Sequence, residues 1–207
     1  MAALSTSKPP ELKVARILAS TRAEGPGLRG ALWVAGCSLR CQGCFNPHLF
    51  EASEGTSRSV DDVLTELLAD PRIEGVTFLG GEPFDQAEPL AHVGRKVREA
   101  GRTVMVFTGY RLEHLRAGRV RGAHELLEQT DLLVDGPFLR ARVDVERPWI
   151  GSTNQRLIEL GTQTAPKAPE RDRVEVRVGP NGVVGLNGWA TSKQLAQLQD
   201  LIEFEES

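Results

Sequence analysis

Residues 73–86 read IEGVTFLGGEPFDQ, an apolar run that ends in two glycines and a polar turn. Short apolar runs bounded by turn residues are typical of buried strands, so we predict a strand over Ile73–Leu79. A helix is predicted over Gln86–Ala100, because its apolar residues recur at helical spacing and Gly101 follows as a C-terminal stop. Strand, turn and helix in this order indicate a parallel α/β unit.

The same order of strands and helices repeats along most of the chain. Further strands are predicted at Leu12–Leu18, Ala31–Ala35, Thr103–Phe107 and Asp131–Asp135. Further helices are predicted from Ser59, where Asp62 completes a capping box, to Pro71, and as a pair within Leu112–Gln129. Residues 12–158 leave room for about six βα units of roughly 30 residues or fewer. The predicted fold class is therefore α/β, an open partial (β/α)6 barrel with a C-terminal β-hairpin and helix.

Proline, glycine and polar residues divide the chain into segments. We predict a flexible leader at 1–11, a core at 12–160, a linker or long loop at 161–173, and a hairpin plus helix packed on the core at 174–207. The hairpin is indicated by Val174–Val178 and Val183–Leu186, which flank Pro180-Asn181-Gly182. Thr191 is expected to cap the final helix, because a glutamine follows three residues later.

Length, composition and charge exclude several classes of protein. The 207 residues are 40% hydrophobic and 26% charged, as in folded globular chains. A net charge of −3 lacks the basic footprint of a nucleic-acid-coating protein, so no nucleic-acid partner is expected. Residues 30–39 form the longest uncharged apolar stretch, far short of the roughly 18 residues that span a membrane. With no signal-peptide pattern at residues 1–13, we expect a cytoplasmic protein without a membrane partner.

All three cysteines lie within eight residues, spaced C-x3-C-x2-C at Cys37, Cys41 and Cys44, after the predicted Ala31–Ala35 strand. An odd, clustered set suits a metal better than a disulfide framework. Three thiolates can hold three corners of an iron–sulfur cube, and the fourth iron then needs another ligand. A structural zinc site with His48 as the fourth ligand is the alternative.

A second candidate site follows the predicted Ile73–Leu79 strand. Gly80 and Gly81 let the backbone approach a ligand closely, and Glu82 can accept a hydrogen bond from an ammonium group. Alone, such a turn is an ordinary strand-to-helix connection. Parallel α/β folds gather their sites at the carboxyl ends of strands, and both motifs fall there, so we expect them to act together.

The two motifs together resemble the double signature of the radical S-adenosylmethionine (radical SAM) enzymes. Further stretches narrow the resemblance to the anaerobic ribonucleotide reductase activating proteins, a group of glycyl radical enzyme activating enzymes, over roughly Leu12–Leu160. These stretches are Glu24–Arg29, Gly36-Cys37, Cys44–Pro47, Thr108–Tyr110, Leu133–Phe138 and Gly151–Arg156. Gly43 stands where most radical enzymes carry an aromatic residue, but a phenylalanine after the third cysteine is similar to the activating proteins. Residues 174–203 extend beyond the short members.

The resemblance implies a radical SAM oxidoreductase with two cofactors. Cys37, Cys41 and Cys44 would be the catalytic and metal-binding residues that hold a [4Fe-4S] cluster. S-adenosylmethionine would chelate the open iron, with Glu82 and the Gly80-Gly81 backbone around its amino group. The cofactors supply the difficult chemistry, and the protein supplies orientation and electrostatics.

The resemblance also implies cofactor-binding roles for two further strand-end residues. Thr108 and Asp135 would face the ribose or the methionyl carboxyl region of the cofactor. From the residues alone, Asp135 could equally cap a backbone amide and Thr108 could shape the Gly109 turn. Asn154 is another candidate, although short polar runs commonly form turns.

The implied reaction is reductive cleavage of S-adenosylmethionine to a 5′-deoxyadenosyl radical, which installs a glycyl radical on a partner enzyme. The expected partners are an anaerobic ribonucleotide reductase as protein substrate and a flavodoxin- or ferredoxin-type electron donor. Two alternatives stay open: radical modification of a peptide or small metabolite, and a noncatalytic iron–sulfur or zinc protein that binds a partner. Glu82 within an intact Gly-Gly-Glu-Pro argues against the last.

Overall fold

A seven-stranded mixed sheet forms the centre of the computed structural model, which describes residues 11–161, 174–179 and 181–188. In chain order its strands are β1 (Glu11–Thr21), β2 (Arg29–Val34), β3 (Thr56–Ser59), β4 (Gly75–Gly80), β5 (Thr103–Phe107), β6 (Leu132–Asp135) and β7 (Arg156–Glu159). Their order across the sheet is β3-β1-β2-β4-β5-β6-β7. A separate antiparallel hairpin consists of β8 (Val174–Val178) and β9 (Val184–Gly188).

The four middle strands β2, β4, β5 and β6 are parallel, whereas β1 pairs antiparallel with β2 and β3, and β7 pairs antiparallel with β6. The crossovers between parallel strands contain α1 (Val60–Leu67), α2 (Ala87–Glu99), and the pair α3 (Leu112–Arg116) and α4 (Ala123–Gln129). Parallel strands joined in this way all have their carboxyl ends on the same side of the sheet, across the strand direction. The loops that follow β2, β4, β5 and β6 therefore lie side by side.

Local sequence signals explain where the helices begin and end. The Ser59 hydroxyl accepts from the Asp62 amide at 3.1 Å, which confirms Ser59 as the N-cap of α1. The Asp62 carboxylate accepts from the Ser59 hydroxyl at 2.7 Å, whereas in a capping box it would accept from the Ser59 amide. Gly101 follows α2 with a φ of +73°, a left-handed conformation that favours glycine at a helix end. Apolar residues of both helices, such as Val63 and Leu90, are buried against the sheet in the main core, which includes Phe78 of β4. This burial is the principal stabilising contribution to the fold.

The α/β class, the hairpin and the predicted strands and helices that the structure describes are confirmed, with ends that differ by a few residues. The sheet edges differ from the prediction, because the antiparallel strands β3 and β7 were not expected. Among the described residues four parallel strands and three crossovers are present, where a (β/α)6 barrel has six βα units, so the partial barrel is not confirmed. Polar β3 is stabilised by pairing with β1, a contact between distant residues that no local pattern shows. The helix expected to reach Pro71 ends at Leu67.

Some predicted segments fall outside the described residues. These are the leader at residues 1–10, the linker at 162–173, and the C-terminal helix that follows Thr191. Glu11, which the prediction placed in the leader, begins β1. No helix in the described part of the chain is long and apolar enough to cross a membrane.

Candidate functional site

The three cysteines line one pocket at the carboxyl ends of the parallel strands. The pocket has a volume of about 180 Å³, and Gly80, Gly81, Glu82 and Thr108 also line it. The structure therefore brings together the cysteine loop after β2, the turn after β4 and the end of β5. Of the candidate residues named from the sequence, Asp135, Asn154 and the alternative metal ligand His48 do not line this pocket.

Backbone contacts hold the cysteine loop against the turn after β4. The Glu82 amide donates to the Gly36 carbonyl at 2.8 Å, and the Gly81 amide donates to the Val34 carbonyl at 2.7 Å. A side chain at position 81 would overlap the Gly36 carbonyl oxygen, so this close approach requires glycine. The sequence Gly80-Gly81 thus serves loop packing as well as the pocket.

The cysteines are half-buried free thiols. Burial raises the pKa of both Cys37 and Cys44, although amide groups of Leu39 and Arg40 act in the opposite direction at Cys37. A raised pKa favours the neutral thiol, and a bound metal reverses this preference because it stabilises the thiolate. Three soft sulfur donors around one open pocket suit the iron of an iron–sulfur cluster, so the residues present fit that group.

The alternative fourth ligand, His48, lies elsewhere. It is exposed on a short 3-10 turn, Pro47–Leu49, and lines a larger neighbouring cavity rather than the cysteine pocket. Within the part of the chain that the structure describes, no three His, Cys, Asp or Glu side chains are arranged to hold one metal ion. A [4Fe-4S] cluster distributes its cysteine ligands over separate irons.

Glu82 places a buried carboxylate in the pocket wall. The residue is 1% exposed, and its carboxylate accepts from the Phe84 amide at 2.9 Å, the Thr108 hydroxyl at 2.8 Å and the Gly109 amide at 2.9 Å. Burial raises its pKa to about 7, and these neutral donors lower it only in part. No Lys, Arg or His of the described residues forms an ion pair with Glu82. The carboxylate therefore joins the turn after β4 to the end of β5 by hydrogen bonds. Its negative charge is not balanced by a cation among the described residues.

A polar network outside the pocket supports the cysteine loop. The Ser38 amide and hydroxyl bond to the Asp85 carboxylate at 2.7 and 2.9 Å. The Tyr110 hydroxyl lies 2.9 Å from the Ser38 hydroxyl and donates to Asp85 at 3.2 Å. Ser38 follows Cys37 directly, so this network fixes the first cysteine relative to the loops after β4 and β5.

Asp135 is buried beside the pocket but has other partners. Its carboxylate accepts from the Leu112 amide at 2.7 Å and forms an ion pair with Arg156, whose Nε lies 2.8 Å from Oδ1. Asp135 thus caps a backbone amide, the alternative that its sequence context left open. Asn154 donates to the Pro137 carbonyl at 2.8 Å, and its buried oxygen has no hydrogen-bond partner among the residues that the structure describes.

Several residues line the pocket that the sequence did not indicate as site residues. Phe45, Phe107, Phe138 and Gln155 line the pocket, and the rings of Phe45 and Phe138 are 4.8 Å apart. Phe45, Phe138 and Gln155 lie inside the stretches that carried the family resemblance, which was the available signal. Phe107 ends a predicted strand and carried no signal beyond that.

Comparisons with known proteins give one family and a group of similar proteins. A family model described as a 4Fe-4S single cluster domain matches residues 23–158, which include the three cysteines and Glu82. The chain is 30% identical over 139 residues to the anaerobic ribonucleoside-triphosphate reductase-activating protein of Escherichia coli (strain K12), covering 63% of this chain and 88% of that protein.

Two further relatives carry the same description. The Haemophilus influenzae protein is 34% identical over 141 residues, covering 63% of this chain and 87% of the relative. The protein of Enterobacteria phage T4 is 30% identical over 139 residues, covering 64% and 85%. The β8–β9 hairpin lies beyond the residues that the family model matches.

Proposed function

This chain belongs to the 4Fe-4S single cluster domain family, together with the anaerobic ribonucleoside-triphosphate reductase-activating proteins, and from that premise we propose that it installs a glycyl radical on an anaerobic ribonucleotide reductase. One observation carries the proposal: the three cysteine thiols and the buried Glu82 carboxylate line the same pocket. A cluster and a cationic cofactor would meet there.

The cysteines and glycines of the pocket would hold the two cofactors. Cys37, Cys41 and Cys44 would ligate three irons of a [4Fe-4S] cluster. The Gly80-Gly81 backbone would bind the amino group of S-adenosylmethionine. When bound, the two cofactors would supply the one-electron reductive cleavage that yields a 5′-deoxyadenosyl radical.

Glu82 supports the assignment of S-adenosylmethionine through its charge. A buried carboxylate bonded only to neutral donors is costly to ionise, and an ammonium group beside it would lower that cost. Thr108 and Gly109 would then keep the carboxylate aimed at the ammonium. Asp135 would act on the site through Gly136, the next residue, which lines the pocket.

The proposed partners follow from the same site. The reductase would supply the glycine as hydrogen donor, and a flavodoxin- or ferredoxin-type protein would supply the electron. We also propose that the sheet curves as an incomplete barrel, which would leave the pocket accessible from the side to a protein substrate. Radical modification of a peptide or metabolite is the competing outcome.

Anaerobic reconstitution with iron and sulfide tests the cluster. We expect about four irons and four sulfides per chain, with iron uptake abolished in Cys41→Ala. Gln42→Ala is the matched control, because it alters an exposed neighbour in the same loop. Stoichiometric zinc without iron uptake would refute the radical reaction.

Activation is tested by mixing the reduced protein, S-adenosylmethionine and the reductase without oxygen. A doublet EPR signal on the reductase, lost with Cys41→Ala, is expected. If the cofactor is cleaved productively only with a peptide or metabolite, and no glycine of the reductase carries spin, the activating role is wrong.

A further inference from the structure

The loop after β6 meets the cysteine loop at Gly43. A Cβ atom at position 43 would lie 2.9 Å from the Cδ atom of Arg140 and 3.3 Å from its Cβ atom. Gly43 also has a φ of +77°, a left-handed conformation that favours glycine. The aliphatic stem of Arg140, from Cβ to Cδ, therefore packs against the position where most radical enzymes carry an aromatic residue.

Hydrogen bonds fix the backbone that carries Arg140. The residue begins a short 3-10 turn, Arg140–Arg142. Before this turn, the Leu139 amide donates to the hydroxyl of the buried Ser152 at 3.1 Å. At its end, the Arg142 carbonyl accepts from the Thr153 amide at 2.7 Å. A side chain on a fixed backbone loses less entropy when it is ordered, so Arg140 is well placed to hold its contact with the cysteine loop.

Negative charge surrounds the first cysteine of this loop. Burial is the main cause that raises the pKa of Cys37, and the carboxylates of Glu82 and Asp85 raise it further. Thiolate ligands would add negative charge, and reduction adds one more to a [4Fe-4S] cluster. A nearby cation would therefore stabilise the reduced state.

Arg40 and Arg140 both lie at the cysteine loop, and they differ in charge balance. Arg40 is part of the loop, and its guanidinium is paired with the Glu51 carboxylate at 2.6 Å. Arg140 forms no ion pair with an Asp or Glu within the part of the chain that the structure describes. Its positive charge is therefore available to a negatively charged group beside Gly43 and the adjoining Cys44.

We propose that Arg140 is a positioning residue of the cysteine site, whose stem shields the loop at Gly43 and whose guanidinium stabilises the reduced cluster. The inference rests on the proposed function, because it needs the cluster. A positive charge raises the reduction potential, and so eases electron uptake from the donor. The Asn46 amide acts in the same direction, since it donates to the Cys44 sulfur at 3.4 Å.

The test is a redox titration of the reconstituted full chain, followed by EPR without S-adenosylmethionine. Arg140→Gln keeps the Cβ, Cγ and Cδ atoms that adjoin Gly43 and removes the guanidinium, so it isolates the charge. We expect the ratio of reduced to oxidised cluster at a fixed potential to fall about 3- to 10-fold, equal to about 30–60 mV for a one-electron couple. Arg140→Lys restores the charge and should stay within about twofold of the natural sequence.

Arg142→Gln is the matched control on the same turn. It removes an exposed charge that is not among the atoms nearest to Gly43, so the ratio should change by less than about twofold. Arg140→Ala also removes the stem, and its iron should be lost to a chelator faster than that of Arg140→Gln. Thermal unfolding should be similar in all four variants, because the altered side chains are exposed.

The outcomes separate this inference from the proposed function. An Arg140→Gln cluster with the potential of the natural sequence, or an equal decrease in Arg142→Gln, would overturn the inference. A decrease that Arg140→Lys does not reverse would also overturn it, because the effect would not be one of charge. A cluster with the expected dependence on Arg140 that cleaves no S-adenosylmethionine would refute the reaction and support the inference. Zinc in place of a cluster would refute both.

Discussion

The ends of β4 and β6 each carry a buried acid, and the two acids differ in their partners. Glu82 after β4 lines the cysteine pocket, and all its hydrogen-bond donors within the described part of the chain are neutral groups. Asp135 at the end of β6 is paired with the guanidinium of Arg156 and lies behind the pocket wall. Both positions satisfy the rule that sites form at the carboxyl ends of parallel strands. The rule therefore locates the region of a site, and the partner of each carboxylate decides its role.

The physical difference is the charge balance. A buried carboxylate with a bonded cation is compensated within the protein, and it stabilises the loops that it joins. Burial raises the pKa of Glu82 to about 7 because its hydrogen bonds come from uncharged groups. An ammonium ligand would supply the missing charge at Glu82, whereas Asp135 already has a cation.

The largest effect on stability is expected when Asp135, the acid paired with Arg156, is replaced. Asp135→Ala leaves the Leu112 amide without its acceptor and Arg156 without its buried partner, at a cost of about 3–4 kcal/mol in unfolding free energy. Denaturant unfolding of the cofactor-free protein measures this loss. Glu113→Ala removes the exposed partner of the same arginine and should leave stability unchanged, because exposed pairs contribute little. A stable Asp135→Ala protein that binds S-adenosylmethionine weakly would instead make Asp135 a ligand-binding residue.

We expect the free energy of unfolding to fall as the pH rises, because the buried Glu82 carboxylate has no bonded cation among the described residues. The unfolded chain loses the Glu82 proton near pH 4.5, whereas the folded protein keeps it until about pH 7. Unfolding free energy of the cofactor-free protein should therefore decrease across this window, by up to about 3 kcal/mol. Burial also raises the pKa of Glu24 to about 7, so it adds a similar slope.

Urea unfolding at pH 5, 6, 7 and 8 separates the two contributions. Glu82→Gln and Glu24→Gln should each flatten part of the decrease. An unfolding free energy that rises over this range, or a slope that neither variant changes, would show that these carboxylates are not the uncompensated charges of the fold.

A smaller effect on stability is expected from a change at Tyr110, which contacts both the cysteine loop and the loop after β6. Tyr110 bonds to Ser38 and Asp85 near the cysteine loop, and its carbonyl accepts from the Gly136 amide at 3.0 Å. Tyr110→Phe removes the hydroxyl bonds, keeps the ring that stacks on His114, and should cost about 1 kcal/mol. Faster loss of iron to a chelator is the specific readout. An unchanged rate would mean that the network does not hold the first cysteine.

Local patterns were enough to predict the parallel strands and their helices. Apolar runs such as Thr103–Phe107 and the Ser59 N-cap depend on neighbouring residues, so the sequence displays them directly. The edge strands β3 and β7 are short, and their stability comes from pairing with β1 and β6 rather than from their own composition. Pairing between distant segments sets the number of parallel strands. The expectation of six βα units came from the length of the chain, and length does not show which strands pair antiparallel.

The site shows the same limit. The strand-end rule predicted that Cys37, Cys41 and Cys44 would lie near Gly80–Glu82, and the structure brings them into one pocket. The Arg156 partner of Asp135 lies on an unpredicted strand, so no pattern within the sequence could assign that ion pair. The cavity beside the pocket could not be predicted from local patterns either, because residues far apart in the sequence form its wall.

The most direct test of the central claim compares S-adenosylmethionine binding to reconstituted Glu82→Gln and Asp135→Asn, by calorimetry and by the EPR perturbation of the reduced cluster. Both changes preserve size and remove one charge. We expect Glu82→Gln to lose about 1.5–3 kcal/mol of binding free energy, roughly 10- to 150-fold in affinity, with unchanged iron content. Asp135→Asn should bind within about threefold of the natural sequence, since its charge is compensated by Arg156. Equal affinity in both variants, or a loss confined to Asp135→Asn, would contradict the account.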